Sequence, residues 1–167
     1  MYWVSHKFFW IPLYVILLIA LINKYSKRKR VLFISIALIF LTATASDQTA
    51  RAIKYSVKRF RPCYNLSICN KVHNPEKGSG KYGFVSSHAA NTFGLALMCS
   101  LLLRNKKWTI TLFAWAALVV YSRIYNGVHY PSDVIAGATL GMTIASLLYF
   151  VMNKITPLHT LNPAAHE

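Results

Sequence analysis

The feature that most constrains this chain is a series of apolar runs of near membrane length, each bounded by lysines and arginines. The runs cover 8–22, 31–45, 108–121 and 134–151, with a further apolar helix expected up to residue 103. A helix rises about 1.5 Å per residue, so roughly 20 apolar residues cross the hydrocarbon core of a bilayer. The run at 8–22 is short for a crossing, residues 2–4 can extend it, and Pro12 is expected to kink it. Hydrophobic residues make up 55% of the 167 positions and charged residues 14%, laid out in blocks rather than in alternation. That layout reads as an integral membrane protein. No stretch carries the small-residue cleavage site of a signal peptide, so the apolar segments are expected to be retained.

Charge sets the orientation. Nineteen lysines and arginines face only four acids, Asp47, Glu76, Asp133 and Glu167, for a net charge of +15. Such a balance suits nucleic acid. Here, however, the cations gather at the ends of apolar runs, so a lipid surface accounts for them and no nucleic-acid partner is expected. The basic stretches 23–30 and 104–107, with Lys154, fall on one side of the membrane, read as cytoplasmic. The stretches 60–85 and 126–132 fall on the other. Five spans with a cytoplasmic C-terminus place the N-terminus outside; against the family's usual six, either one helix is missing upstream of Met1 or residues 1–7 lie along the interface.

Between the runs, a single helix is expected from about Val31 to Arg59, because no glycine or proline interrupts the chain before Pro62. Its second half carries Asp47, Arg51, Lys54, Lys58 and Arg61 at spacings of 4, 3, 4 and 3, one face of a helix. A charged stripe leading out of a membrane run is read as a cationic wall lining a site. The segment 62–85, with its prolines, asparagines and Gly78-Ser79-Gly80, reads as a long loop. Ser86 or Ser87 can cap the next helix, which puts His88 in its first turn. The fourth helix is expected from Trp108 to Tyr125 and the fifth from Pro131 to Asn153. Gly137 and Gly141 in the fifth have the spacing that lets helices approach closely. Cys99 reads as an inert buried thiol. Cys63 and Cys69 share the outer loop, where a disulfide and two free thiols are both open. Tyr82, Phe84 and Tyr125 are candidates for the mouth of a site or for interfacial anchors.

Polar groups converge on the outer face. Arg123, His129 and Asp133 lie in the short segment between two apolar runs. His129 and Asp133 are four apart, so a helix opened by Pro131 sets the carboxylate about one turn from the imidazole. There it can fix the ring tautomer and leave the other nitrogen free to attack. Lys54, Arg61 and His88 gather on the same face by the topology above. A metal site is the rival use of two histidines and an aspartate, but three cations would repel a metal ion and no third ligand is evident. No metal and no cofactor are expected.

Three spaced pieces stand in order: Lys54-x6-Arg61-Pro62, Ser86-Ser87-His88, and Ser122-Arg123-x5-His129-x3-Asp133. Together they resemble the signature of the type 2 phosphatidic acid phosphatase superfamily, which includes vanadium haloperoxidases and glucose-6-phosphatase. The resemblance covers about 47–141. The middle piece departs from the family's Pro-Ser-Gly-His, since Val85 stands for the proline and Ser87 for the glycine. The resemblance implies that His129 is the nucleophile, that Asp133 orients it and that His88 protonates the leaving oxygen. It implies that Lys54, Arg61 and Arg123, with Ser86 and the Ser87 backbone N–H, hold the phosphate. His6, His73, His159 and His166 stand outside the motifs and take no role.

The chain is therefore expected to be an all-α, polytopic transmembrane helical bundle with five spans, where the family usually has six. It reads as one integral-membrane domain over 1–167, with a polar cytoplasmic tail at 154–167. The implied activity is metal-independent hydrolysis of a phosphate monoester or pyrophosphate on a membrane lipid, through a phosphohistidine, at the outer face of a bacterial inner membrane. Undecaprenyl pyrophosphate, phosphatidic acid, phosphatidylglycerophosphate and lipid A are all open as substrates. Transfer of the phosphate to an acceptor lipid and a non-enzymatic transporter or lipid-binding role are the alternative readings.

Overall fold

A computed structural model describes residues 7–72 and 80–156 of the chain. Residues 1–6 of the expected interfacial segment 1–7, with His73, Glu76, His159, His166, Glu167 and the tail beyond 156, lie outside the described residues.

Five α-helices form the described fold. They are α1 (Ile11–Tyr25), α2 (Lys29–Val57), α3 (Ser87–Leu103), α4 (Lys106–Tyr125) and α5 (Pro131–Ile155), with a single 3-10 turn, Lys7–Trp10, leading into α1. Four stretches are long and apolar enough to cross a membrane: Phe8–Tyr25, α2, α4 and α5. Ser87–Leu103 is a shorter apolar helix. Large apolar side chains such as Phe33, Phe40, Ile110, Ile135, Phe150 and Ile155 point outward, as lipid-facing residues do. Pro12 does not kink α1. It occupies the helix's first turn, where its missing N–H has no partner to lose.

The helix ends show where the sequence reading shifts. Asn105 caps α4 by accepting hydrogen bonds from the N–H groups of Lys107 (2.9 Å) and Trp108 (3.3 Å), so this helix starts two residues before the expected Trp108. The second helix stops at Val57 rather than Arg59, because Lys58 turns into the left-handed region at φ 52° and its N–H returns to the Lys54 carbonyl. The charged stripe therefore holds for Asp47, Arg51 and Lys54. Lys58 and Arg61 leave it.

At the basic end, Lys24 donates to the Leu103 carbonyl, and the Tyr25 hydroxyl donates to that of Leu102 at 2.7 Å. These bonds tie α1 to carbonyls that the end of α3 leaves without a partner within the helix. The buried core beneath them is built from Leu17, Leu21, Leu38, Met98, Leu102 and Leu112 with their neighbours.

The α3–α5 crossing positions the site. A Cβ on Gly141 would lie 1.9 Å from the Ala90 carbonyl oxygen, and one on Gly137 would lie 2.4 Å from that of Ser86. The two glycines thus let the backbones meet, as their spacing predicts. The contact continues upward as a hydrogen bond, 3.0 Å, from the Ser86 N–H to the Asp133 carbonyl. The start of α3 is thereby pinned to the start of α5.

Gly141→Ala is expected to destabilise the protein by about 1–3 kcal/mol through overpacking, a drop of several degrees in melting temperature in detergent. Gly80→Ala, where nothing lies within 4 Å of the new Cβ, is the control and should leave it within about 1 °C. Equal melting of the two variants would contradict the close crossing.

Candidate active site

Asp133 is the anchor of the site. It is fully buried. As the third residue of α5 it accepts the Tyr130 N–H on Oδ2 at 3.0 Å, which satisfies a donor that the helix start would otherwise leave open. Its Oδ1 accepts Arg59 Nη1 at 2.9 Å, and the same Arg59 nitrogen reaches Ser132 Oγ at 2.8 Å. The Arg59 guanidinium also stacks over the Tyr130 ring, 4.3 Å from its centroid. Both carboxylate oxygens are thus held.

His129 sits in the short loop between α4 and α5, 2% exposed, with Nδ1 3.6 Å from Asp133 Oδ2. That is an ion-pair distance just beyond hydrogen-bond reach, so a small movement completes the bond. Nε2 is left for other chemistry. Burial lowers the His129 pKa to about 4, the nearby Arg61 and Arg123 lower it too, and Asp133 opposes them. The ring is neutral at neutral pH, so its lone pair is available. Above His129 and Asp133 lies the backbone of Gly83. A Cβ there would stand 3.0 Å from Asp133 Oδ2, 3.2 Å from Arg61 Cγ and 3.6 Å from His129 Nδ1, so this position admits no larger residue without displacement.

The cations come from three segments. Arg61 follows the end of α2 and is 8% exposed. Its Nε donates to the Tyr82 carbonyl at 3.1 Å. Antiparallel pairing holds the two strand-like stretches together, with Arg61 N–H to the Lys81 carbonyl (3.0 Å) and Gly83 N–H to that of Arg59 (2.8 Å). Arg123, 4% exposed, lies in the last turn of α4. Lys54, on α2, donates to Ser87 Oγ at 3.3 Å. Ser86 is the N-cap of α3, its hydroxyl accepting the Ala89 N–H at 3.4 Å. The unsatisfied N–H groups of that helix start therefore open beside the cations, an arrangement suited to an oxyanion. Lys54, Arg61, Tyr82 and Ser87 line a cleft of about 270 Å³ together with Asp47 and Arg51.

His88 is exposed at the first turn of α3, and the charges of Arg123, His129, Lys54 and Arg61 reach it. It opens onto a second cleft of about 250 Å³, which shares Asp47 and Ser87 with the first. The sequence-derived residues Lys54, Arg61, Ser86, Ser87, His88, Arg123, His129 and Asp133 thus gather around one end of the bundle. Of the three aromatic candidates for the mouth, Tyr82 lines the cationic cleft, Phe84 packs beside Ala50, Val85 and Ala90, and Tyr125 lies outside against Tyr121. Val85 itself is buried at 3% exposure and fills that small core. Cys63 and Cys69 are both free thiols, and Cys99 is a buried one. Among the described residues no group of three His, Cys, Asp or Glu side chains is placed to hold a metal ion.

Arg59, Gly83 and the Ser87 hydroxyl were not read from the sequence. Arg59 falls on the far side of a continuous helix, and nothing in Lys58 announces the left-handed residue that turns it back. Asn65 lies outside the three spaced motifs. It donates from Nδ2 to the Tyr130 hydroxyl at 3.2 Å, tying the outer loop to the ring on which Arg59 stacks.

The family model described as PAP2 superfamily matches residues 30–157. Similar proteins include a lipid A 4'-phosphatase of Bacteroides thetaiotaomicron, 36% identical over 154 residues, covering 90% of this chain and 67% of the relative. A lipid A 4'-phosphatase of Porphyromonas gingivalis is also 36% identical, over 90% of this chain and 64% of the relative. An undecaprenyl-diphosphatase of Sulfolobus acidocaldarius is 34% identical over 86% of this chain and 63% of the relative. The chain spans about two thirds of the length of these relatives. The crystal structure of a transmembrane PAP2-type phosphatidylglycerolphosphate phosphatase from Bacillus subtilis superposes with a TM-score of 0.67 at 23% identity, covering 91% of this chain and 73% of that one, and shares the fold.

The electrostatics give a sign. Because the folded pKa of His129 lies below the usual 6.5, its contribution to stability is complete above pH 6.5 and is lost as pH falls towards about 4. In an NMR titration of the detergent-solubilised protein, the His129 resonance, identified by its loss in His129→Asn, should have a midpoint near 4. In Arg59→Met the midpoint should rise, since Asp133 then acts on the imidazole uncompensated. A wild-type midpoint near 6.5 would contradict the burial and the two neighbouring cations as its cause.

Proposed function

The chain belongs to the PAP2 superfamily, and from that premise we propose that it is a lipid phosphatase whose nucleophile is His129. The observation that carries this reading is a buried, neutral imidazole, held by a doubly anchored carboxylate and facing cations from three separate segments. Hydrolysis of a phosphate ester needs those parts and little else: a positioned nucleophile, positive charge around the phosphoryl oxygens, and a proton for the leaving group.

In this reading Lys54, Arg61 and Arg123 hold the phosphoryl oxygens, together with Ser86 and the Ser87 N–H at the start of α3. His129 Nε2 attacks phosphorus in line with the leaving oxygen. A P–N bond forms, the P–O bond to the lipid breaks, and His88, charged once the negative charge of the bound phosphate offsets the surrounding cations, gives its proton to the departing oxygen. The positive charge that develops on the His129 ring is stabilised by Asp133, which Arg59 and the Tyr130 N–H keep in place. His88, now neutral, takes a proton from a water that attacks the phosphohistidine. The P–N bond breaks and inorganic phosphate leaves. No metal ion enters this sequence of steps.

The substrate is a phosphorylated membrane lipid, since the site sits at one end of membrane-spanning helices. The opposite end carries Lys24, Lys27 to Arg30, Arg104, Lys106, Lys107 and Lys154. By the positive-inside rule that end is cytoplasmic and the site faces outward, to the periplasm of a bacterial inner membrane. One domain, with its working core at 47–141, carries the activity.

Purified protein should release free phosphate from a phosphorylated lipid with excess EDTA present. His129→Ala should abolish this on every substrate. His88→Ala should fall by roughly 10²–10⁴-fold on an alkyl lipid phosphate, where the leaving oxygen needs its proton, and far less on nitrophenyl phosphate, whose leaving group is already a weak base. Equal losses on both esters, or turnover of nitrophenyl phosphate by His129→Ala, would reverse the assignments.

A further inference from the structure

We propose that Asn65, in the outer loop, is a positioning residue for the nucleophile: through the Tyr130 ring it keeps Arg59 on Asp133, and so keeps His129 aligned for attack. This deepens the phosphatase reading and rests on it for the role of His129.

Arg59 is the weak member of the anchor it belongs to. Asp133 is fully buried, but 39% of the Arg59 side chain is exposed. A long side chain that reaches a carboxylate from solvent loses rotamer freedom in doing so, and such a pair holds poorly unless its geometry is fixed. A single Arg59 nitrogen makes both polar contacts, to Asp133 Oδ1 and to Ser132 Oγ. The guanidinium is steadied by the face of Tyr130, whose centroid lies 4.3 Å from Arg59 Cζ. That ring needs a support of its own, because Tyr130 precedes the first turn of α5. Its hydroxyl accepts a hydrogen bond from Asn65 Nδ2 at 3.2 Å.

Asn65 is held firmly enough to give that support. Its N–H donates to the Pro62 carbonyl at 3.1 Å, and its carbonyl accepts the N–H groups of Ile68 (3.1 Å) and Cys69 (2.8 Å). Its Oδ1 accepts the Ser67 N–H at 3.1 Å. This last bond settles which end of the amide is oxygen, and so turns the nitrogen towards Tyr130. A chain of contacts therefore runs from a polar loop to a buried imidazole: Asn65 to Tyr130, Tyr130 to Arg59, Arg59 to Asp133, Asp133 to His129. The link with play in it is the last, at 3.6 Å. When Arg59 swings away, Asp133 Oδ1 loses its partner, the carboxylate can turn, and the imidazole loses the orientation that in-line attack needs. Displacement of a reacting group by about 1 Å can cost 10²-fold in rate.

The test uses the full chain purified in detergent, with Asn65→Leu, Tyr130→Phe and the two combined. Tyr130→Phe removes the hydroxyl and keeps the ring, and it carries both readouts alone where Asn65→Leu fails to fold. Each single variant should lower kcat on dioleoyl phosphatidic acid by about 5–10-fold with KM within about twofold, because the cations are untouched. The double variant should be no slower than the slower single, since both break one bond. In the NMR titration the His129 midpoint should rise from about 4 in both singles, as in Arg59→Met, with Asp133, Arg61, Arg123 and His88 still around the ring. Leu66→Ala, the 91% exposed neighbour, is the control and should change neither readout. Unchanged kcat in both singles overturns the proposal, as does a loss in the double equal to the product of the two. Lower activity with a fixed midpoint means that the loop only supports the fold, and overturns it as well. Absence of phosphate release by the unmodified chain, on this lipid and on nitrophenyl phosphate, rejects the phosphatase reading and the catalytic role of Asn65 with it; the midpoints then still report whether Asn65 is linked to His129.

Discussion

The buried carboxylate of Asp133 is the constraint on which the site depends. A charge removed from water has to be matched at each oxygen, and here the partners come from different parts of the chain. Arg59 brings in the end of α2, the Tyr130 N–H brings in the start of α5, and His129 belongs to the loop between α4 and α5. The backbone carbonyl of the same residue takes the Ser86 N–H, which brings in α3. One residue thus fixes the relative positions of His129, the cationic segment and the start of α3. Removing any partner would leave a buried charge short of a bond, which is why the geometry around it has little freedom.

The membrane sharpens this. Cations and carboxylates next to hydrocarbon are costly, and this chain has few acids to offset its nineteen basic residues. Asp133 is committed to Arg59 and His129, and Asp47 to Arg51 at 3.1 Å on the other wall. Lys54, Arg61 and Arg123 gather at the same end of the bundle as these two carboxylates. In the proposed reading a phosphate group adds negative charge beside these cations, so substrate binding also offsets their charge.

Much of this was legible in the sequence. The apolar runs marked the helices, because hydropathy over a membrane-length window does not depend on packing. The family resemblance in three spaced motifs named eight residues that the structure gathers at one end, and Gly137 with Gly141 marked the close crossing. What was not legible depended on single backbone torsions or on packing. Lys58 carries no signal for its left-handed conformation, yet that residue ends α2 early and sends Arg59 to Asp133. Gly83 is one glycine in a loop until the fold places it over His129. Asn105 was the exception: as a good capping residue before an apolar run, it could have set the start of α4 correctly.

The central claim is that the phosphoryl group passes through His129 before it reaches water. Stereochemistry at phosphorus tests this most directly. Two in-line displacements, first by His129 Nε2 and then by water, each invert the phosphorus centre, so a phosphorothioate substrate made chiral with two oxygen isotopes and cleaved in water of the third should yield thiophosphate with overall retention. Inversion would mean that water attacks the lipid phosphate in a single step, and would contradict the account.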